Sequence, residues 1–338
     1  MNSHPAAQQD TTWTPRPLDP ALTDYHPQPL RPPADASYLT GGGAARISGS
    51  GHCRFILERL SAAFRRLHPE VDFSIELHGT PSAMAFLING KAMLSVMGRE
   101  ITANETVPYR KLRGAEPFAI RVASAAQETR QHLATSLAVY VHRDNPLPKI
   151  DCQQLARIFT QGNPGGDYSR WGQLGLTGDW AMRAIQPLTT HEFSGFGTYM
   201  QKHHYAGRVH QANCEYFTGT DALLTRLENE PAGIAVAAIG RANASLRLVP
   251  LAFNDQGPWL AGSAQEVTDG VYPLGRFIYF YLPVSADSRL DAVTHAFMRF
   301  ILSRQGQAIV ASQPCGYIPL SAVQAAQQLA RLQTLEIA

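Results

Sequence analysis

Three times along this chain a strand-like run ends in a turn of glycine and small hydroxyl residues, and a helix-like run begins at once. The turns are Gly49-Ser-Gly51, Gly79-Thr-Pro-Ser82 and Ser194-Gly-Phe-Gly-Thr198. Ala45-Arg-Ile-Ser48 before the first has strand character. After it, Phe55, Ile56, Leu60, Ala63, Phe64 and Leu67 recur at helical spacing until Pro69 stops the run. Residues 71–77 then alternate as a strand, a helix runs from the second turn to Asn89-Gly90, and Met93-Leu-Ser-Val-Met97 is the next strand. Strand, tight turn, helix, strand, repeated, is the pattern of a parallel sheet with right-handed crossovers, because the helix carries the chain back to begin the next strand in the same direction. The fold class expected is α/β.

The same grammar continues. Ser136-Leu-Ala-Val-Tyr-Val141 is a strand, His142-Arg-Asp-Asn-Pro146 a turn, and residues 151–159 a helix with Asp151 as its N-cap. Helices follow the Ser194 turn and cover 221–229, and strands cover 233–239 and 276–282. A helix spans 290–304 and a last one starts at Ser321. A chain of 338 residues exceeds what one hydrophobic core holds comfortably, so two lobes are expected. Residues 1–43 stand apart, with eight prolines among mostly polar residues and Gly41-Gly-Gly43 at the end. Proline density excludes helix and central strand there. This arm either drapes over a lobe through Trp13, Tyr25 and Tyr38 or stays disordered.

Composition and motifs remove several function classes. Lys plus Arg number 29 against 27 for Asp plus Glu, and no basic block occurs, so no nucleic-acid partner is expected. No apolar run approaches the ~20 residues of a membrane helix. Cys53, Cys152, Cys214 and Cys315 lie far apart without C-x-x-C spacing, which argues against zinc and redox motifs and leaves either disulfides or buried thiols. The first ten residues lack the charged and apolar regions of a signal peptide, which fits either a cytoplasmic protein or one whose export signal has been trimmed. Walker, G-x-S-x-G and H-E-x-x-H patterns are missing, and the adjacent His203-His204 cannot share a helix face as metal ligands. No metal or cofactor is expected.

What remains is the chemistry of the turns themselves. A helix N-terminus presents unpaired N–H groups and a partial positive charge, and Ser or Thr hydroxyls add donors beside them. Glycine lets the backbone come close to an anion. Three such turns at the carboxyl ends of strands, where α/β sheets place ligands, would together bind a tetrahedral oxyanion with little net charge.

Several longer motifs carry a family likeness. Residues 136–146, then Gln154-Leu-Ala-Arg-Ile-Phe159 and Trp171-Gly-Gln-Leu174, resemble the run by which phosphate-binding proteins of ABC transporters cross into their second lobe. Tyr272-Pro-Leu-Gly-Arg276 with Tyr279-Phe-Tyr281 is similar to that family's return crossing. Residues 297–303, Gln305-Gly-Gln307 and Gly316-Tyr-Ile-Pro-Leu320 resemble its closing helix and tail. The likeness spans about residues 45–325, and Gly49-Ser50 and Gly79-Thr80 sit where the family has its first two anion-binding turns. It departs from the family at two contacts. Met97-Gly98-Arg99-Glu100 puts glycine and arginine where a serine and a neighbouring carboxylate or arginine are usual. His191 stands near the place of an arginine, and Phe196-Gly197 interrupts a Ser-Gly-Thr triplet.

The resemblance implies a two-lobed periplasmic binding protein fold with a central cleft and two crossover strands, near 134–140 and 270–276. Lobe one would comprise 44–135 with 273–338, and lobe two 136–272. The implied ligand is inorganic phosphate or a similar oxyanion, held by Ser50, Gly51, His52, Thr80, Ser82, Arg99, His191, Ser194, Gly195 and Thr198. The implied role is that of a monomeric, periplasmic or secreted solute receptor for an ABC permease, not an enzyme. Its rival is a binding module of the same fold that acts as scavenger, sensor or partner-docking protein. An acceptor-free residue at Arg99 would also weaken discrimination against sulfate, with Glu192 as a replacement acceptor.

Overall fold

The computed structural model describes residues 15–127, 133–313 and 316–338. After the arm come β1 (Ala45–Gly49), α1 (Arg54–Leu67), β2 (Phe73–Glu76), α2 (Thr80–Ile88), β3 (Leu94–Met97), α3 (Ala103–Arg113) and β4 (Phe118–Ser124). A second group holds β5 (Leu137–His142), β6 (Ile150–Asp151), α4 (Cys152–Phe159), β7 (Gln186–Thr190), α5 (Gly195–His203), β8 (Glu215–Phe217) and α6 (Thr220–Leu227). It continues with β9 (Gly233–Ala238), β10 (Leu246–Leu248), β11 (Leu251–Ala252) and α7 (Ala264–Thr268). β12 (Phe277–Leu282) returns to the first group, which closes with β13 (Arg289–Leu290), α8 (Ala292–Ile301), α9 (Arg304–Ala311), α10 (Ala322–Leu332) and β14 (Glu336–Ile337).

Local chemistry explains most boundaries. α1 buries Ile56, Leu57, Leu60 and Phe64 on one face. Asp151 accepts from the Gln154 N–H at 2.8 Å while the Gln154 side chain accepts from the Asp151 N–H at 3.1 Å, a reciprocal cap that starts α4. The helix expected over 290–304 is in fact two. Ser303 accepts the Gly306 N–H and so begins α9 where α8 has ended. α3 is an addition to the expected elements, and Thr102 and Glu105 form a capping box ahead of it.

Two five-stranded sheets result, in the orders β2-β1-β3-β12-β4 and β10-β5-β9-β7-β8. Neither is wholly parallel, which corrects the expectation from the turn pattern. β12 runs against both β3 and β4, and β5 runs against both β9 and β10. These are the strands that bring the chain in from the other lobe. The chain leaves each sheet at the carboxyl ends of its like-directed strands and enters the other sheet from that same side, so the arriving strand must run the opposite way. The cleft therefore faces the carboxyl ends of eight strands and the amino ends of two. Each sheet has its own core, one including Ile47, Val96, Ile120 and Phe280, the other Val139, Tyr140, Trp171 and Ile234. We propose the lobe boundaries given above on this basis.

Residues 15–43 lie over the first lobe, so this part of the arm drapes over it; residues 1–14, Trp13 among them, fall outside the described residues. Leu22, Tyr25 and Tyr38 are buried in that lobe's core. The Tyr25 hydroxyl meets His68 Nε2 at 2.8 Å, and the Tyr38 hydroxyl donates to Asp291 at 2.9 Å. Arg304 donates to the Pro20 and Leu22 carbonyls, and Asp19 accepts the Ala322 N–H. Prolines block any internal helix, so the arm satisfies its backbone on its own lobe. Tyr25→Ala is expected to lower stability by about 3 kcal/mol and Tyr25→Phe by about 1, measured by urea unfolding.

Cys53, Cys152 and Cys214 are separate buried thiols, so no disulfide joins cysteines among the described residues; Cys315 falls outside them. Burial pushes all three up to about 12. These thiols should resist iodoacetamide at pH 8 in the folded protein and react once it is unfolded, as peptide mapping would report.

Candidate functional site

A cleft of about 340 Å³ opens between the two sheets. On the first lobe its wall begins at Gly49, whose φ is +153°. A Cβ there would sit 2.3 Å from Val96 Cγ2 and 2.4 Å from the Val96 carbonyl oxygen, so only glycine lets β1 end so close to β3. Ser50 follows, 4% exposed, as the N-cap of the 3-10 turn Gly51–Cys53 that leads into α1. Its side chain makes no capping bond. Ser50 and His52 line the cleft, whereas Gly51 opens the turn beside it. The Gly79 N–H donates to the Gly49 carbonyl at 3.0 Å, which brings the second turn alongside the first and sets Thr80 on the wall. Ser82 is turned elsewhere. Its hydroxyl donates to the Gly79 carbonyl at 2.9 Å and stiffens the turn.

Arg99 lines the cleft, but its guanidinium is engaged. It donates to both oxygens of Glu105, at 2.7 and 2.8 Å, and to the Glu100 carbonyl at 2.8 Å. Gly98 beside it is needed for packing, since a Cβ there would lie 2.5 Å from Ala134 Cβ on the crossing segment.

On the second lobe, Thr190 ends β7 and Ser194 caps α5. The Ser194 oxygen accepts the Gly197 N–H at 2.9 Å and lies 2.8 Å from the Thr190 hydroxyl. Whichever of these two hydroxyls donates to the other, the second keeps its own proton for the cleft that both line. Gly195 is also on the wall. Thr198 is not, because its hydroxyl donates to the Glu192 carbonyl at 3.1 Å. His191 is exposed and stacks on Tyr216, rings 4.9 Å apart, away from the cleft. Glu192 does not supply an acceptor either. Its carboxylate accepts from Tyr216 and pairs with His210 at 3.0 Å.

Of the ten residues singled out, the structure thus gathers Ser50, His52, Thr80, Arg99, Ser194 and Gly195, and leaves Gly51, Ser82, His191 and Thr198 off the wall. It adds Thr218 and Gly219 at the start of α6, a fourth strand-to-helix turn that the sequence reading treated only as a helix boundary. It also adds Phe196 and Arg276. Arg276 is 4% exposed. It donates to the Thr135 carbonyl at 2.8 Å, to Gly98 at 2.9 Å and to Gly195 at 3.4 Å, and so joins the crossing segment and both lobes. The Phe196 and Tyr199 rings lie 5.0 and 5.6 Å from its guanidinium carbon. Among the described residues it has no carboxylate partner. Arg276 precedes a strand, whereas the glycine and hydroxyl turns each follow one. A wider hollow of about 450 Å³ shares no wall residue with this cleft.

No family model matches the chain. In two strains of Pseudomonas aeruginosa it has curated relatives called phosphate-binding protein PstS. Each is 30% identical over 308 residues, which covers 90% of this chain and 88% of the relative. The fold is similar to that of an ABC-type phosphate transport receptor from Vibrio cholerae, with TM-score 0.54, 18% identity and coverage of 81% and 99% of the two chains. It is also similar to PstS from Borrelia burgdorferi, with TM-score 0.53, 17% identity and coverage of 82% and 99%. With 30% identity sustained over nine-tenths of its length, the chain belongs to the PstS family of phosphate-binding proteins.

Proposed function

We propose that this protein binds inorganic phosphate in the interlobe cleft as the solute receptor of an ABC transporter, without catalysis, in the periplasm or outside the cell. The observation that carries this reading is Arg276. A guanidinium is always charged, and holding one out of water without a counter-ion costs several kcal/mol. Arg276 is buried against carbonyl oxygens and aromatic rings, and the cleft it lines also offers the Ser50 and Thr80 hydroxyls, one free hydroxyl proton of the Thr190–Ser194 pair and the starts of four helical segments. A tetrahedral anion would supply the missing negative charge and accept from these donors as the lobes close. The names carried by the relatives point to the same ligand. The rival role of partner docking draws no support from the proline-rich arm, whose residues Leu22, Tyr25 and Tyr38 pack into its own lobe.

Phosphate at about a hundredfold over its Kd should add about 2.7 kcal/mol to stability. Millimolar phosphate that leaves the melting temperature unmoved would sink the proposal. Arg276→Lys keeps the charge and loses the planar donor set, and calorimetry should find phosphate binding weaker by about 1.5–3 kcal/mol.

Selectivity follows from the donors. Among the described residues the cleft wall contains no carboxylate, and the nearby Glu100, Glu105 and Glu192 each face other partners. An acceptor is what allows a site to favour an anion that still carries a proton. Sulfate should therefore bind within about 1.4 kcal/mol of phosphate, a factor of ten. Competition calorimetry that finds a thousandfold preference would contradict this.

A further inference from the structure

The segment Gly98-Arg99-Glu100 of the first lobe meets α5 of the second lobe at both ends of that helix. At its start, a Cβ on Gly195 would lie 3.6 Å from Arg99 Cδ. At its end, Lys202 and His203 reach Glu100. One oxygen of the Glu100 carboxylate accepts from the Tyr279 hydroxyl of its own lobe at 2.8 Å. The other is paired with Lys202 and lies 3.2 Å from His203 Nε2, both on the opposite lobe.

The arrangement is asymmetric in burial. The Glu100 side chain is 13% exposed, that of Lys202 54% and that of His203 36%. Burial alone would raise the Glu100 carboxyl, but the bonds from His203, Lys202 and Tyr279 outweigh it and bring the group down to about 2. It is therefore ionised across the neutral range. Arg99 does not compete for it through its side chain, being committed to Glu105. Parting the lobes would break the Lys202 and His203 contacts and leave this carboxylate with Tyr279 and incoming water as partners, so opening forfeits two charge-assisted contacts.

We propose that Glu100, with Lys202 and His203, is an electrostatic latch between the lobes that holds the cleft closed and slows release of the bound anion. Its effect on release rests on the reading of the cleft as a phosphate site; its effect on lobe closure does not. Phosphate contributes affinity through the cleft donors, while the latch acts on how long the lobes stay together. Breaking one side of a buried charged contact changes dissociation more than association.

The test follows release of radiolabelled phosphate, chased with unlabelled phosphate, from wild type, Glu100→Gln, Lys202→Gln and the double variant. Release should be about five- to fiftyfold faster in Glu100→Gln, with association changed less than about twofold. The double variant should release no faster than Glu100→Gln alone, because both changes remove one interaction. Should Glu100→Gln fail to fold, Lys202→Gln at an exposed position carries the same comparison. Release in the folded single variants within about twofold of wild type, or fully additive effects, would overturn the latch. If wild type binds no phosphate, the cleft reading fails. The latch then stands or falls on X-ray scattering of the ligand-free proteins, with a larger radius of gyration in the variants supporting it and an unchanged one overturning it.

Discussion

Arg276 sets the terms on which the two lobes meet. Its guanidinium cannot shed its charge to suit a dry site, so the surrounding backbone must supply acceptors. The carbonyls of Thr135, Gly98 and Gly195 do so, one from the crossing and one from each lobe. Glycine at 98 lets that strand end pack against Ala134 of the crossing, where a Cβ would come within 2.5 Å of the Ala134 Cβ. The rings of Phe196 and Tyr199 then shield the group from water. A cation fixed in this way, before any ligand arrives, needs no rearrangement to face an anion, which is the condition for strong charge-assisted bonding.

Around that cation the remaining polar groups are sorted by what they can donate. On the wall, one member of the Thr190–Ser194 pair must keep a free hydroxyl proton. Hydroxyls one turn further on, on Ser82 and Thr198, are spent on holding their turns. The carboxylates closest to the cleft are each drawn off by a stronger local partner: Glu105 by Arg99, Glu192 by His210 and Tyr216, and Glu100 by residues of both lobes. The same withdrawal that leaves the wall rich in donors thus also builds a contact across the lobes.

The legible part of the fold was the part written in short-range chemistry. Helical spacing in α1, the Asp151 cap of α4 and the glycine turns after β1 and β2 each depend on neighbours within a few residues, and those readings translate directly into structure. Misjudged features depend on distant partners. His191 was placed by analogy with an arginine, but Tyr216, on a different strand, holds its ring outward. The continuous helix over 290–304 broke because Ser303 found a backbone partner in Gly306. The arm's position was open because Leu22 and Tyr25 pack on residues hundreds of positions later, such as Phe300.

By itself the sequence determined that this is an α/β chain with small-residue turns at helix starts, because periodicity, capping and glycine geometry act locally. It also determined the order of motifs by which the chain crosses between lobes and returns. Only the tertiary structure decided which donors face the cleft. That choice depends on the reversed strands β5 and β12, which enter from the cleft side and so bring residues just before a strand, Arg276 above all, to the place where residues just after a strand are expected. The direction in which a strand is entered is a property of the assembled sheets, and no local pattern of residues encodes it.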